Sequence, residues 1–271
     1  MSRKSKSEID ARTPDAFLSF SDKALKWIED NWAPVGGVFG VLIVAGLGWV
    51  GYSQWQGYTE RKAAVAIYEV EAKIRDKRDA FAREEDKRLQ ELSNALDSKD
   101  KNKTLPDLSP RKIDFDSNFA DLARELEKRI LDHKNTNAAA VASLNLAGLY
   151  LSNKKAELAD AFLSKIERAK DPSLTALLKM QKAIIAMELG DFPRATAGFE
   201  SLISDRKSEF LHPDALLKLG VCQEKQGQVE DAKGTFERVS TEYADSEAGR
   251  SAKAYLRLLQ LEAPAKTESK G

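Results

Sequence analysis

From Asn31 to Tyr58 the chain carries no charged side chain, and its centre, Val35 to Val50, reads VGGVFGVLIVAGLGWV. At 1.5 Å per residue, a helix of roughly 20 or more such residues, from Ala33 to Trp55, covers about 30 Å, the thickness of a bilayer's hydrocarbon core. Trp32 stands at one end, and Trp49, Tyr52, Trp55 and Tyr58 cluster at the other. Aromatic rings gather in this way at membrane–water interfaces. A buried core helix would have to be apolar on every face inside an otherwise strongly polar chain. The pattern predicts one membrane span over residues 32–58. A long polar segment precedes it and no small-residue cleavage site follows it cleanly, so an uncleaved signal anchor fits better than a signal peptide.

The flanks set the expected orientation. Residues 1–31 form a polar tail whose second half, from Asp15 to Asn31, has the pattern of a short amphipathic helix. Phe17, Phe20, Trp27 and Ile28 would meet the lipid headgroups. Arg3, Lys4, Lys6, Arg12, Lys23 and Lys26 make this tail the cytoplasmic side, since basic residues near a span stay inside. The larger part of the chain is then expected across the membrane, in the periplasm of a bacterial source. Gly36 and Gly40 have the GxxxG spacing that lets membrane helices approach one another.

The chain has 271 residues, with 43 basic and 43 acidic side chains and a formal net charge of zero. A nucleic-acid surface needs a basic excess, so nucleic acid is not an expected partner. The single cysteine, Cys222, allows no intrachain disulfide. His133 and His212 have no Cys or acidic partner at metal-ligand spacing. No phosphate loop, nucleophile elbow or HExxH helix occurs. Neither an enzyme nor a cofactor is expected.

Residues 59–98 read as a long charged helix, with Ile67, Val70, Ile74, Phe81, Leu89, Leu92 and Leu96 on a narrow apolar stripe. Residues 99–116, with Pro106 and Pro110, read as a linker. From 117 to 262 the pattern repeats. Ala159, Ala195 and Ala232 recur at 36 and 37 residues, as do Leu163, Phe199 and Phe236. Gly190 and Gly227 mark turns 37 residues apart. A small residue in each helix of a pair (Ala147 with Ala159, Ala183 with Ala195, Gly220 with Ala232) lets two antiparallel helices close up. A large residue four positions on fills the gap to the next pair, and stacked pairs bury a shared core. The segment from Ser246 to Leu261 would cap the stack, and residues 263–271 read as a disordered tail.

This pattern resembles the tetratricopeptide repeat. The unit DALLKLGVCQEKQGQVEDAKGTFERVSTEYADSEAG carries it best, with Leu216, Leu219, Gly220, Gly227, Ala232 and Phe236 on the family's structural positions. Gln223 replaces a usual Tyr, and Ala244 a frequent Pro. The fold expected is all-α: one N-terminal transmembrane helix followed by a tetratricopeptide-like solenoid of helical hairpins. In that family the first helix of each pair lines a concave protein-binding groove. The resemblance puts Val141, Leu144 and Leu151 there, then Leu177, Met180, Ile184 and Met187, then Leu217 and Val221. The groove is either open or filled by the chain's own helix, Thr59 to Ile74. The order of parts, LKWIEDNWAPVGG into a span ending GWVGYSQWQGY and then ERKAAVAIYE before degenerate repeats, also looks like the ancillary subunit of the bacterial Sec translocon. That likeness implies a protein beside the translocon that hands secreted chains to periplasmic chaperones. A scaffold in another inner-membrane complex is the alternative. The charged helix and linker from Arg75 to Asp114 depart from that family's pattern.

Overall fold

The computed structural model describes residues 26–27, 30–97 and 114–262. Every regular element among them is helical. α1 is Trp32–Asp97, 66 residues. The chain then continues as α2 Phe115–Asn118, α3 Ala120–Asp132, α4 Asn137–Ser152, α5 Ala156–Leu163, α6 Pro172–Glu188 and α7 Phe192–Ser204. A short 3-10 helix, Arg206–Leu211, precedes α8 His212–Lys225, α9 Val229–Glu242 and α10 Glu247–Glu262. The chain divides into two compact units, one ending at Tyr58 and one beginning at Thr59.

In the first unit, the large apolar side chains of α1 are exposed on all sides: Phe39 61%, Leu42 61%, Val44 71% and Trp49 72%. At 100° per residue these four point in widely different directions around the helix. Among the described residues no helix is long and apolar enough to cross a membrane. The expected span is described only in part, because the side chains of residues 32–36 and 38 lie outside the described residues. Gly36 therefore lies outside, while Gly40 has open space around it. Most of the amphipathic tail, residues 99–113 of the expected linker 99–116, and the tail from 263 lie outside as well, while Phe115 and Asp116 belong to α2.

The second unit is a stack of antiparallel helix pairs, and their starts follow from local chemistry. Thr136 caps α4 by accepting from the Ala139 N–H at 3.1 Å. Asp171 caps α6 from Ser173 at 2.7 Å, with Pro172 in the first turn. Asp191 caps α7 from Arg194 at 3.2 Å, with Pro193 following. Each cap satisfies an amide that the helix itself leaves open, and the prolines sit where no amide is needed. The turns within pairs are built alike. Gly190 and Gly227 have φ of 76° and 77°, and Lys154 takes the same left-handed place with φ 57°. In each turn the next residue's N–H donates back to the first helix, from Lys155 to Tyr150, Asp191 to Ala186 and Gln228 to Gln223.

The small–small–large pattern is what packs the pairs. Ala147, Ala159 and Leu163 are fully buried, as are Ala195, Phe199, Ala232 and Phe236. A Cβ on Gly220 would meet the Phe236 ring at 2.5 Å, so that ring occupies the room which the glycine leaves. Phe236 in turn stacks on Tyr255 of α10, with ring centroids 4.9 Å apart and planes 7° from parallel.

One pair is additional to the three read from the repeats. α1 contributes Ala63, Ile67, Val70 and Ile74, all buried, and α3 contributes Ala123, Leu126 and Ile130. Ala123 lies 36 residues before Ala159, in phase with the later units. Residues 59–77 are thus the first helix of a first hairpin, and the stretch from 78 to 113 is an insertion between its two helices. Glu127 stands where the later units have Leu163, Phe199 and Phe236, and its carboxylate accepts a hydrogen bond from the Tyr150 hydroxyl.

Candidate protein-binding site

The expected groove residues pack on three different cores. Leu144 and Leu151 pack on a core shared by α1 to α5, which also takes in Leu178 and Ile185 of α6. Met180, with Leu177, Ile184 and Met187 beside it, belongs to a core of α6, α7 and α8. Leu217 and Val221 pack on a third, formed by α8, α9 and α10. The 3-10 helix packs against both α6 and α8, with Leu211 buried in the second core. Of the nine groove residues, Val141 is exposed at 45%, Met180 is buried at 7%, and the other seven are partly buried.

The open part of the surface lies at Val141, where α4 meets α1. A pocket of about 580 Å³ opens there, floored by Ile67 and Ala142 and walled by Val65, Tyr68 and Val141. Val65 is 71% exposed and Tyr68 59%. Neither is among the residues expected from the repeats, because residues 78–113 part this stretch of α1 from its partner α3. The position of Ala123, one period before Ala159, is the sequence signal that points to them. Within the stretch Thr59 to Ile74, Ile67, Val70 and Ile74 share the core on which Leu144 and Leu151 pack, while Val65 and Tyr68 face the pocket.

Polar contacts fix that wall. The Glu60 carboxylate accepts from the Asn137 N–H at 2.9 and 3.0 Å and from the Ala138 N–H at 3.3 Å. A negative group at a helix N-terminus satisfies open amides and meets the positive end of the helix dipole. Lys170 pairs with the same carboxylate at 3.5 Å. Lower down, the Asn145 side chain donates to Glu71 at 3.1 Å, and Lys77 Nζ donates to the Asn118 carbonyl at 2.6 Å. Arg75 donates to the Tyr68 hydroxyl at 3.2 Å and sits 5.3 Å from the ring centre. These bonds hold a phenol and two valines at the pocket mouth, where an apolar side chain of a partner can be covered.

A second cleft, of about 660 Å³, lies between Phe81, Arg88 and Glu91 of the inserted part of α1 and Phe119, Leu149 and Asn153. Its walls alternate in charge. Cys222 is fully buried, and burial pushes its thiol up to about 11, far from a thiolate at neutral pH. His212 lies 3.2 Å from the Asp205 carbonyl. Among the described residues no three His, Cys, Asp or Glu side chains converge as metal ligands.

Comparison with known families agrees with this architecture. The model of the tetratricopeptide repeat-like domain matches residues 25–177, more than half of the 271. A tetratricopeptide repeat model matches residues 214–246, the α8–α9 pair. No curated protein matches the chain. The first match takes in α1 and α3, so the extra hairpin lies inside the matched region. The chain belongs to the tetratricopeptide repeat-like domain family, an all-helical protein–protein interaction module.

Proposed function

We propose that the chain is a single-pass protein of a bacterial inner membrane, with its basic tail in the cytoplasm and its repeat unit in the periplasm. It acts as an accessory of protein secretion or envelope biogenesis, binding translocating chains or periplasmic chaperones through the pocket of Val65, Tyr68 and Val141. It needs no cofactor and catalyses no reaction. The observation that carries the membrane reading is the exposure of Phe39, Leu42, Ile43, Val44, Leu47 and Trp49 together on one charge-free helix segment. Each such side chain gains about 1.5–3 kcal/mol on leaving water, and a patch of this extent marks a membrane or protein contact. The family supports the interaction role, and the order of tail, apolar stretch and repeats supports the place beside the translocon.

Affinity capture of the full chain from gently solubilised membranes tests the reading. Recovery of translocon subunits, weakened by Tyr68→Glu, supports it. Recovery of one unrelated membrane complex, with no client or chaperone, favours a purely structural scaffold instead. Orientation is read by protease protection in spheroplasts. A repeat unit cut only after the inner membrane is lysed would overturn the assignment.

A further inference from the structure

The core-facing stripe of α1 continues beyond the helix that covers it. Ala63, Ile67, Val70 and Ile74 are buried, and Phe81 is partly buried against the same core. Steps of four and three residues then bring Glu85, Arg88 and Leu92 onto that face, each partly buried, with Leu89 beside them exposed at 55%. α3 runs antiparallel to α1: Lys73 pairs with Glu125 at 3.5 Å, and Lys77 donates to the Asn118 carbonyl. α3 therefore starts near the level of Phe81, whose ring centre lies 6.1 Å from that of Phe119. From Phe81 to Asp97, α1 runs on for about 24 Å. The cleft of about 660 Å³ lies along the first part of this run. Its bases, Arg78, Lys87 and Arg88, are matched in number by Glu84, Glu85 and Glu91, and Arg88 already pairs with Glu85 at 3.5 Å. Charge therefore selects no ligand there, and what the cleft offers is the apolar surface of Phe81, Ala82, Phe119 and Leu149.

The length of the connection points to the occupant. Residues 98–113 join the end of α1 to Asp114, which caps α2. Phe115, the first residue of α2, has its ring centre 6.3 Å from that of Phe119. The chain therefore has to travel back from Asp97 to the level of Phe81, opposite to the direction of α1. Seven or eight extended residues, at about 3.3 Å each, cover that distance, and the others suffice for the turn. The last eight, PDLSPRKI from Pro106 to Ile113, carry Leu108 and Ile113. Pro106 and Pro110 favour extended backbone at themselves and at the residues before them. Leu108 is six residues from Asp114, about 20 Å along an extended chain, which matches the level of Leu92.

We propose that the cleft is a docking site for the chain's own segment Pro106–Ile113, with Leu108 set against Leu89 and Leu92 and Ile113 against Phe81 and Phe119. The insertion between the two helices of the first hairpin is then a helix and its own return strap, and the cleft is filled from within the chain. The inference stands apart from the membrane reading, and it leaves the α1/α4 pocket as the surface open to a partner.

The test uses the full-length chain in detergent micelles with paired cysteines; Cys222 is buried and stays out of the reaction. Under mild oxidation, Leu92→Cys with Leu108→Cys should form an intrachain disulfide about tenfold or more faster than Gln90→Cys with Leu108→Cys, since Gln90 lies across the helix from Leu92. A tether that does not dock links both positions at similar rates, so similar rates would overturn the proposal. An interchain disulfide from the first pair, seen as a dimer on a non-reducing gel, would assign the cleft to a second copy and overturn it too. Leu108→Asp gives a second reading without new cysteines: amide exchange of residues 82–92 should quicken about tenfold while that of α9 stays the same. Unchanged exchange at 82–92 would mean that the segment does not dock there.

Discussion

Two stretches of α1 handle apolar side chains in opposite ways. Between residues 39 and 55 they are dense and exposed on every side; between 63 and 74 Ala63, Ile67, Val70 and Ile74 are buried while Val65 and Tyr68 are exposed. Ala63, Ile67, Val70 and Ile74 are spaced to share one helix face, and α3 and α4 cover that face. The difference teaches that hydrophobic content alone does not tell which part of a helix is core. What matters is whether a neighbour is shaped to receive it.

The largest expected effect tests the exposed stretch. Ile43→Arg with Leu47→Arg should move the full chain from the carbonate-resistant membrane fraction to the soluble one, since each charge costs about 2.5–3.5 kcal/mol at the centre of a span. The melting of the repeat unit should not change. Wild-type chain that carbonate already releases would break the comparison. On the buried stretch, Val70→Asp should cost about 3 kcal/mol or more in urea unfolding, because a carboxylate would lie in the core without a partner. Val65→Asp, five residues away and exposed, should stay within about 0.5 kcal/mol. Similar losses at both positions would mean that α1 has no single buried face.

Smaller effects probe the later pairs, where the same packing rule is met more tightly. Gly220→Ala should cost about 1–3 kcal/mol by thermal melt, since the Phe236 ring cannot move without breaking its stack on Tyr255. Tolerance there would show that the ring has another place to go. Lys154→Gly should stabilise by about 0.5–1 kcal/mol, because its φ of 57° suits glycine, as at Gly190 and Gly227. A loss instead would show that the exposed Lys154 side chain contributes a contact of its own.

The three later hairpins were legible because their turns are short and each keeps the small and large residues at fixed offsets. The first was not. Its two helices are parted by residues 78–113, and Glu127 interrupts the run of large residues at Leu163, Phe199 and Phe236. Only Ala123 keeps the phase. The candidate surface was half legible for the same reason. Val141 is exposed on α4, and its companions at the pocket, Val65 and Tyr68, sit on α1. The resemblance to the tetratricopeptide repeat implies a groove running through all the pairs, past Leu177, Ile184, Leu217 and Val221. What local pattern could not show is the 3-10 helix Arg206–Leu211, which packs against both α6 and α8. Nor could spacing show that Glu60 reaches the start of α4, 77 residues on.

That long reach has a consequence in time. Closing a loop costs entropy that grows with its length, and stacked repeats gain stability mainly from their nearest neighbours. The pairs α4–α5, α6–α7 and α8–α9 close over short turns and can form locally. The helix of residues 59–77 must wait until α3 and α4 exist to receive it. Amide exchange of residues 63–74 should therefore open at lower free energy than that of α9, and equal protection would mean that the stack unfolds as one piece. The wall that carries Tyr68 is the part of the module that assembles last and is released first.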